Sequence, residues 1–103
     1  MRGKRVYSGR GLLALAVPNS GPETRVGVTV SRQLKGAVDR NRARRRVREA
    51  ARASRLVGDS GAEQRGIRYD VVLIARRRVL EVSFAELKAE ASLAALRLAN
   101  LTP

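Results

Sequence analysis

Residues 24–76 read TRVGVTVSRQLKGAVDRNRARRRVREAARASRLVGDSGAEQRGIRYDVVLIAR and contain an alternating, a helical and an apolar segment, in that order. From Thr24 to Arg32 apolar and polar residues alternate, which is the period of a strand with one buried face. From about Val38 to Val57 the apolar residues recur at helical spacing. Tyr69–Ala75 is a continuous apolar run, typical of a strand buried on both faces. The segment between these two strands is long enough for a crossover connection, so the strands can pair in parallel. We therefore predict a strand–helix–strand unit.

Further strands are predicted on the N-terminal side of this unit. Residues 3–10, GKRVYSGR, indicate a short edge strand or an extended arm. Leu12–Val17 is an apolar strand that ends at a cluster of turn residues, Pro18–Pro22. Because the loop to the next strand is short, we expect these two strands to pair antiparallel. Gly27, inside the alternating strand, indicates a bulge or a close approach of another backbone.

A helix that packs on the sheet is predicted on the C-terminal side, after a polar loop over residues 58–68. Ser83 and Glu86 have the spacing of a capping box, and Val82 with Leu87 that of a hydrophobic staple. The apolar residues that follow keep helical spacing: Leu87, Ala91, Ala94, Leu98 and Leu101. We therefore predict one α+β domain over residues 1–103. It is a two-layer α/β sandwich with a small mixed β-sheet, a basic helix in the crossover and a C-terminal packing helix.

Composition excludes several familiar chemistries. The chain has 103 residues, no histidine and no cysteine. Disulfide frameworks, thiolate metal sites, thiol nucleophiles and Ser-His-Asp catalysis are therefore excluded. The absence of cysteine fits a reducing cytosol, and no apolar run approaches the roughly 20 residues of a membrane span. We therefore expect a cytoplasmic protein.

Positive charge is concentrated in the central helix. The net charge is +13, and residues 32–55 hold ten cations and two carboxylates of this total. On a helical projection one arc carries small and apolar side chains. A second arc carries Asn41 and most of the arginines: Arg40, Arg44, Arg45, Arg48, Arg52 and Arg55. Arg42 and Arg46 lie on the opposite flank. Such a ladder of guanidinium groups binds phosphates bidentately, so the partner is predicted to be a polyanion.

The motifs in this segment also resemble a known family, the protein component of bacterial ribonuclease P. The hallmark is an Arg-Asn-Arg triplet, a basic pair and an Arg-Glu, after a strand that ends in Ser and a basic residue. Here these are Arg40–Arg42, Arg44–Arg45, Arg48–Glu49 and Ser31–Arg32, and the resemblance is strongest over residues 9–98. It implies contacts to a catalytic RNA subunit from Arg40, Asn41, Arg42, Arg44, Arg45 and Arg48, supported by Ser31, Arg32 and Lys35.

The resemblance also implies the reaction and a second binding site. The family assists a catalytic RNA, which holds the Mg²⁺ ions and removes the 5′ leader from precursor tRNA. The resemblance therefore implies no catalytic and no metal-ligating residue in this chain. A cleft between the sheet and the first helix holds the single-stranded leader, and the candidate contacts here are Tyr7, Arg10, Leu15 and Thr29. Family members carry a helix before the GKR segment, and we expect that helix to be absent or cut off here. Leu15 replaces an aromatic residue, and Ala43 and Ala51 replace larger ones, which predicts a thin core that depends on RNA for stability.

Other functions stay open on the residues alone. An independent nuclease would need clustered carboxylates for two metal ions, whereas Asp39, Asp59 and Asp70 are scattered. A ribosomal or general RNA-binding protein without a role in cleavage would share the charge pattern. A helix-turn-helix DNA reader is less favoured, because no short partner helix precedes the basic helix. Tyr69 is expected in the core rather than stacked on a base. Arg76–Arg78 is equally a phosphate contact or a solvated turn.

Overall fold

The structure, a computed structural model, describes residues 4–19, 25–54 and 68–100. These residues form four strands, a short 3-10 helix and two α-helices. In chain order they are β1 (Lys4–Ser8), β2 (Leu12–Asn19), β3 (Arg25–Val30), α1 (Ala37–Ala53), β4 (Arg68–Ala75), the 3-10 helix Arg77–Leu80 and α2 (Phe84–Ala99). The expected lack of an N-terminal helix concerns the chain before Lys4. That prediction, most of the predicted 58–68 loop and the ends of both predicted helices lie outside the described residues.

The strands form one mixed sheet in the order β1-β2-β4-β3. β3 and β4 are parallel, which confirms the strand–helix–strand unit, whereas β1–β2 and β2–β4 are antiparallel. The prediction that β2 pairs with β3 is wrong, because β4 lies between them. β4 contains the uninterrupted apolar run Val71–Ala75, and its interior position satisfies its backbone donors and acceptors on both sides.

The sheet has one face covered by the helices and one open face. On the covered face of β4, Tyr69, Val71, Leu73 and Ala75 are at most 3% exposed. Their neighbours in sequence, Val72 and Ile74, are half-buried on the other side. The prediction that this strand is buried on both faces is therefore corrected, since both helices pack on the same face of the sheet. Tyr69 is in the core, as expected.

Small residues let α1 lie close to the sheet. Its buried residues are Ala43, Val47, Ala50 and Ala51. All four belong to the predicted apolar arc, whose next member, Ser54, is half-buried at the C-cap. α2 buries Leu87, Ala91, Ala94 and Leu98 in the same core and adds one carboxylate, Glu90. The helical spacing thus identified the packed faces of both helices.

The two helices begin differently. The Ser83 hydroxyl accepts a hydrogen bond from the Glu86 backbone N–H at 3.1 Å, which confirms the predicted start of α2. α1 begins after Gly36, whose φ of 86° is a conformation that favours glycine. Gly27 marks neither a bulge nor a close approach, because its pairing with β4 is regular and the space around it is open. The irregularity lies in β1, between Arg5 and Tyr7.

Candidate nucleic-acid interface

The solvent side of α1 carries a continuous basic surface, which we call the α1 basic face: Asn41, Arg42, Arg44, Arg45 and Arg48. All are exposed except Arg44, which is half-buried. Arg44 Nη1 donates to Asn41 Oδ1 at 3.2 Å, so these two side chains orient one another. Residues three and four apart share one side of a helix, so several guanidinium groups face the same direction. This arrangement fits a polyphosphate backbone, where each guanidinium can bind a phosphate.

Arg40 belongs to the same predicted set, but its side chain turns inward. Nη1 donates to the carbonyl oxygens of Ser31 and Leu34, each at 3.0 Å, and Nη2 lies 3.5 Å from the carbonyl of Val30. These carbonyls belong to the end of β3 and the segment that follows it. Arg40 therefore holds the segment that precedes α1 against the helix. Most of its guanidinium hydrogen-bonding capacity is used there, and little is left for a ligand.

The segment before α1 brings the three supporting residues next to the helix. Ser31 is half-buried, and its backbone N–H donates to the Ala75 carbonyl at 2.8 Å, which continues the β3–β4 pairing. Its hydroxyl accepts from the Gln33 N–H at 3.2 Å. Arg32 and Lys35 are exposed. The structure therefore places two further cations beside the start of the α1 basic face.

Arg46 was not predicted as a site residue, yet it makes the shortest side-chain contacts of the helix in the described chain. Nη1 donates to the Val79 carbonyl and Nη2 to the Val82 carbonyl, both at 2.8 Å. The sequence signal was its position at the edge of the apolar arc, from which a long side chain reaches a neighbouring element. Charge counting alone could not separate it from its exposed neighbours.

A groove of about 460 Å³ lies on the open face of the sheet, where β3 and β4 end. We call it the open-face groove, and it is lined by Arg10, Leu13, Ser31, Gln33, Ile74, Arg76, Arg77 and Arg78. Leu13 and Ile74 pair across β2 and β4 and form an apolar floor. Arg76 is fixed by two bonds, from its N–H to the Gly11 carbonyl at 2.9 Å and from Nη2 to the Ser8 hydroxyl at 2.8 Å. The groove thus joins an apolar floor to a basic rim.

Three of the four candidate leader contacts lie on this side of the sheet. Arg10 lines the groove, Thr29 pairs with Ile74, and Leu15 pairs with Val72 on the open face. The resemblance implied a cleft between the sheet and the first helix. In the described chain, however, α1 and the sheet enclose a packed core, so the open surface is on the opposite side.

Tyr7 is the exception, because it lies on the covered face of the sheet. Its side chain points to the covered face and is only 8% exposed, so it does not lie on the side of the sheet that carries the groove. The hydroxyl donates to Glu90 Oε1 at 3.3 Å, and the Arg97 guanidinium lies 5.3 Å from the ring centroid. Burial, with the adjacent Glu90 carboxylate, raises the pKa of Tyr7 above its usual value. Glu90 also accepts from the Gly11 N–H at 3.2 Å, so this network fixes the turn that carries Arg10.

Acidic residues do not form a catalytic cluster in the parts of the chain that the structure describes. Asp70 instead accepts from Arg25 Nε at 3.0 Å and from Asn19 Nδ2 at 3.0 Å. The hydrogen bond from Arg25 holds the pKa of Asp70 below its ordinary value. Asp59 lies outside the described residues. Within those limits, the carboxylate arrangement gives the nuclease alternative no support. Neither described α-helix combines the length and apolar character needed to cross a membrane.

Comparisons with known proteins agree with this arrangement. The family model Ribonuclease P matches residues 1–99. The ribonuclease P protein component of Dehalococcoides mccartyi is 40% identical over 82 residues, which cover 80% of this chain and 61% of that protein. Its counterpart from Erythrobacter litoralis is 38% identical over 96 residues, covering 93% of this chain and 74% of the relative. This chain therefore spans about three fifths of the length of the first relative.

Solved structures show the same fold. A Staphylococcus aureus RNase P protein, in a mutant form with defective mRNA degradation activity, superposes with a TM-score of 0.70 at 21% identity. The match covers 96% of this chain and 76% of that one. The RNase P protein from Thermotoga maritima gives a TM-score of 0.63 at 24% identity, covering 86% and 77%. The mixed sheet with two helices on one face is thus shared with these proteins.

Proposed function

Because this chain belongs to the ribonuclease P protein family, we propose that it is the protein subunit of that endoribonuclease and assists a catalytic RNA in removing the 5′ leader from precursor tRNA. The observation that carries the proposal is the α1 basic face, which combines the family's motif with exposed side chains. The cytoplasmic location predicted from the lack of cysteine belongs to the same proposal. The alternative of a general RNA-binding protein is not favoured by the relatives.

The α1 basic face is proposed to bind the RNA subunit. Residues 32–55 hold +8 of the total charge of +13, and most of these cations are on or next to this helix. Arg42, Arg45 and Arg48 are exposed and can each take a phosphate without giving up an internal bond described here. Arg32 and Lys35 extend the surface, and Asn41 can read a base edge or a 2′-hydroxyl. Binding should therefore release counterions and weaken steeply with salt.

The open-face groove is proposed to bind the single-stranded leader. A single strand presents phosphates on one side and base faces on the other, which matches a groove with a basic rim and an apolar floor. Arg10, Arg77 and Arg78 supply the rim, and Leu13 and Ile74 the floor. Precursor tRNA is then held from both sides of the sheet, by the RNA subunit bound to α1 and by its leader in the groove.

The RNA subunit is proposed to supply the chemistry. It would hold the Mg²⁺ ions that activate the attacking water and stabilise the leaving oxygen. In the described chain the acidic side chains are dispersed or paired, and Asp70 is engaged by Arg25. The protein's residues are therefore assigned to binding and orientation, and none is proposed as catalytic.

Reconstitution tests this proposal. The protein combined with a bacterial ribonuclease P RNA should stimulate cleavage of precursor tRNA at a Mg²⁺ concentration where the RNA alone is slow. The matched control is the same RNA with the double variant Arg45→Ala/Arg48→Ala, which should stimulate less at equal concentration. Cleavage by the protein without any RNA subunit would contradict the proposal, and RNA binding without stimulation would favour a general RNA-binding protein.

A further inference from the structure

Two arginines on opposite flanks of α1 bind backbone carbonyls of the two segments that border the open-face groove. Arg40 binds the segment that contains Ser31 and Gln33, which line one side. Arg46 binds the carbonyl of Val79, which directly follows the groove residues Arg77 and Arg78, and the carbonyl of Val82, which lies just beyond the 3-10 helix. Both side chains are half-buried. The helix with the basic face is therefore tied to the groove walls on the other side of the sheet.

The Arg46 bonds fix the wall that carries the arginines. Val79 belongs to the 3-10 helix Arg77–Leu80, and its N–H donates to the Arg76 carbonyl at 2.9 Å. Its side chain is fully buried, so this short helix is anchored on one side by packing. Arg46 anchors it on the other side with a charged donor, which makes a stronger hydrogen bond than a neutral one. A displacement of Arg77 and Arg78 would have to break these bonds.

Arg46 is poorly suited to bind RNA itself. Each of its two terminal nitrogens already donates to a carbonyl at 2.8 Å, whereas Arg45 beside it is exposed. Arg46 also does not line the open-face groove. Its charge adds to the field of the helix, but its geometry is directed at the protein backbone.

We propose that Arg46 is a positioning residue for leader binding: by holding the 3-10 helix against α1, it keeps Arg77 and Arg78 placed for the leader's phosphates. This inference rests on the proposed function of the groove. It separates Arg46 from the adjacent arginines of α1, whose loss should weaken the RNA-subunit contact instead. It also makes leader binding sensitive to α1, the helix proposed to bind the RNA subunit.

The test compares two ligands of the reconstituted holoenzyme, a precursor tRNA and the same tRNA without its leader. The measured quantity is the dissociation constant of the leaderless tRNA divided by that of the precursor tRNA, at fixed salt and with saturating protein. Partial unfolding of a variant lowers both affinities by the same factor and cancels in the ratio. We expect Arg46→Ala to reduce the ratio by about fivefold, the lower end of typical coupling between sites. The control Arg52→Ala removes an equal charge from an exposed position of α1 and should leave the ratio unchanged.

Arg46→Lys provides a second variant that keeps the charge. One ammonium lacks the planar fork that reaches both carbonyls, so its ratio should lie between those of wild type and Arg46→Ala. A wild-type ratio in Arg46→Ala, or an equal loss in Arg52→Ala, would overturn the positioning role. A wild-type holoenzyme that binds both ligands equally would instead overturn the proposed groove function, and the inference with it.

Discussion

At the scale of single residues, the arginines of α1 divide by their distance from the buried arc. Arg40 and Arg46 border that arc and donate to backbone carbonyls, whereas Arg42, Arg45 and Arg48 project to solvent. The sequence pattern placed Arg40 in the same set as the exposed arginines, whereas the structure shows its guanidinium bound to backbone carbonyls. The difference depends on which backbone carbonyls lie within reach: those of the segment that leads into α1 for Arg40, and those of Val79 and Val82 for Arg46. No helical projection contains that information.

The exposed arginines should control the salt dependence of RNA binding. Arg45→Ala and Arg48→Ala each remove one phosphate contact, so the slope of log affinity against log salt should fall by about one per substitution. Filter-binding measurements over a range of salt concentrations give this slope. Lys88→Ala is the control, because Lys88 is an exposed cation on α2 outside the basic face. A double variant with wild-type slope would contradict the assignment of this surface.

Asp70 should give the protein a specific acid sensitivity. Its folded-state pKa is depressed below the ordinary value of 3.8 by the hydrogen bond from Arg25. A depressed carboxyl pKa stabilises the fold above the unfolded-state pKa, and this stabilisation is lost as the pH falls through the folded-state pKa. Asp70→Asn should therefore have a lower melting temperature than wild type at neutral pH, with the difference shrinking below about pH 4. Because the pair is exposed, the effect should be small and reduced by salt. A difference that is constant from pH 7 to pH 2.5 would contradict this role.

At the scale of elements, periodicity located the helices and strands, but it could not arrange them. The alternation in β3 and the apolar spacing in α1 and α2 depend on local sequence, and the structure confirms them. The neighbour of β2 is instead set by competition between β3, which is close in sequence, and β4, which is more apolar. The same limit applies to the faces: β4 was predicted to be covered on both sides, and only the placement of both helices on one face leaves the groove open.

Ser83 should contribute measurably to the stability of α2. Its hydroxyl satisfies one of the backbone donors that the first turn leaves unpaired. Ser83→Ala should lower the free energy of unfolding by about 1 kcal/mol, as measured by urea denaturation. Ser92→Ala is the matched control, since Ser92 lies at an exposed interior position of the same helix, where alanine is favoured. Equal destabilisation by the two substitutions would show that the cap has no special role.

At the scale of the whole molecule, a small apolar core lies beneath surfaces that carry most of the positive charge. The core is built largely from alanine, valine and leucine, with Tyr7 and Tyr69 as its only aromatic residues among those described. Basic residues cover α1 and the rim of the groove, while the segment 79–103 holds two cations and three carboxylates. A thin core with this much self-repulsion gains stability when a polyanion neutralises the basic surfaces.

Binding to the RNA subunit should therefore protect the protein from unfolding. At an RNA concentration of about 100 times the dissociation constant, the free energy of unfolding should rise by about 2.7 kcal/mol. Hydrogen exchange measured on peptides from β4 reports this without interference from the RNA. The protection should decrease as salt is added. Exchange rates in β4 that are unaffected by RNA at low salt would contradict the linkage.

The interior position of β4 has a consequence for how the protein is made on the ribosome. Leu12 pairs with Ala75, and the outer strand β3 pairs with the same late segment. A nascent chain that ends before β4 can form at most the β1–β2 hairpin, and a lone two-stranded hairpin is marginal in water. The basic helix segment is thus synthesised before the sheet on which it folds exists. Folding must wait until β4 and α2, which completes the core, have been synthesised, and the domain should then assemble in one cooperative step.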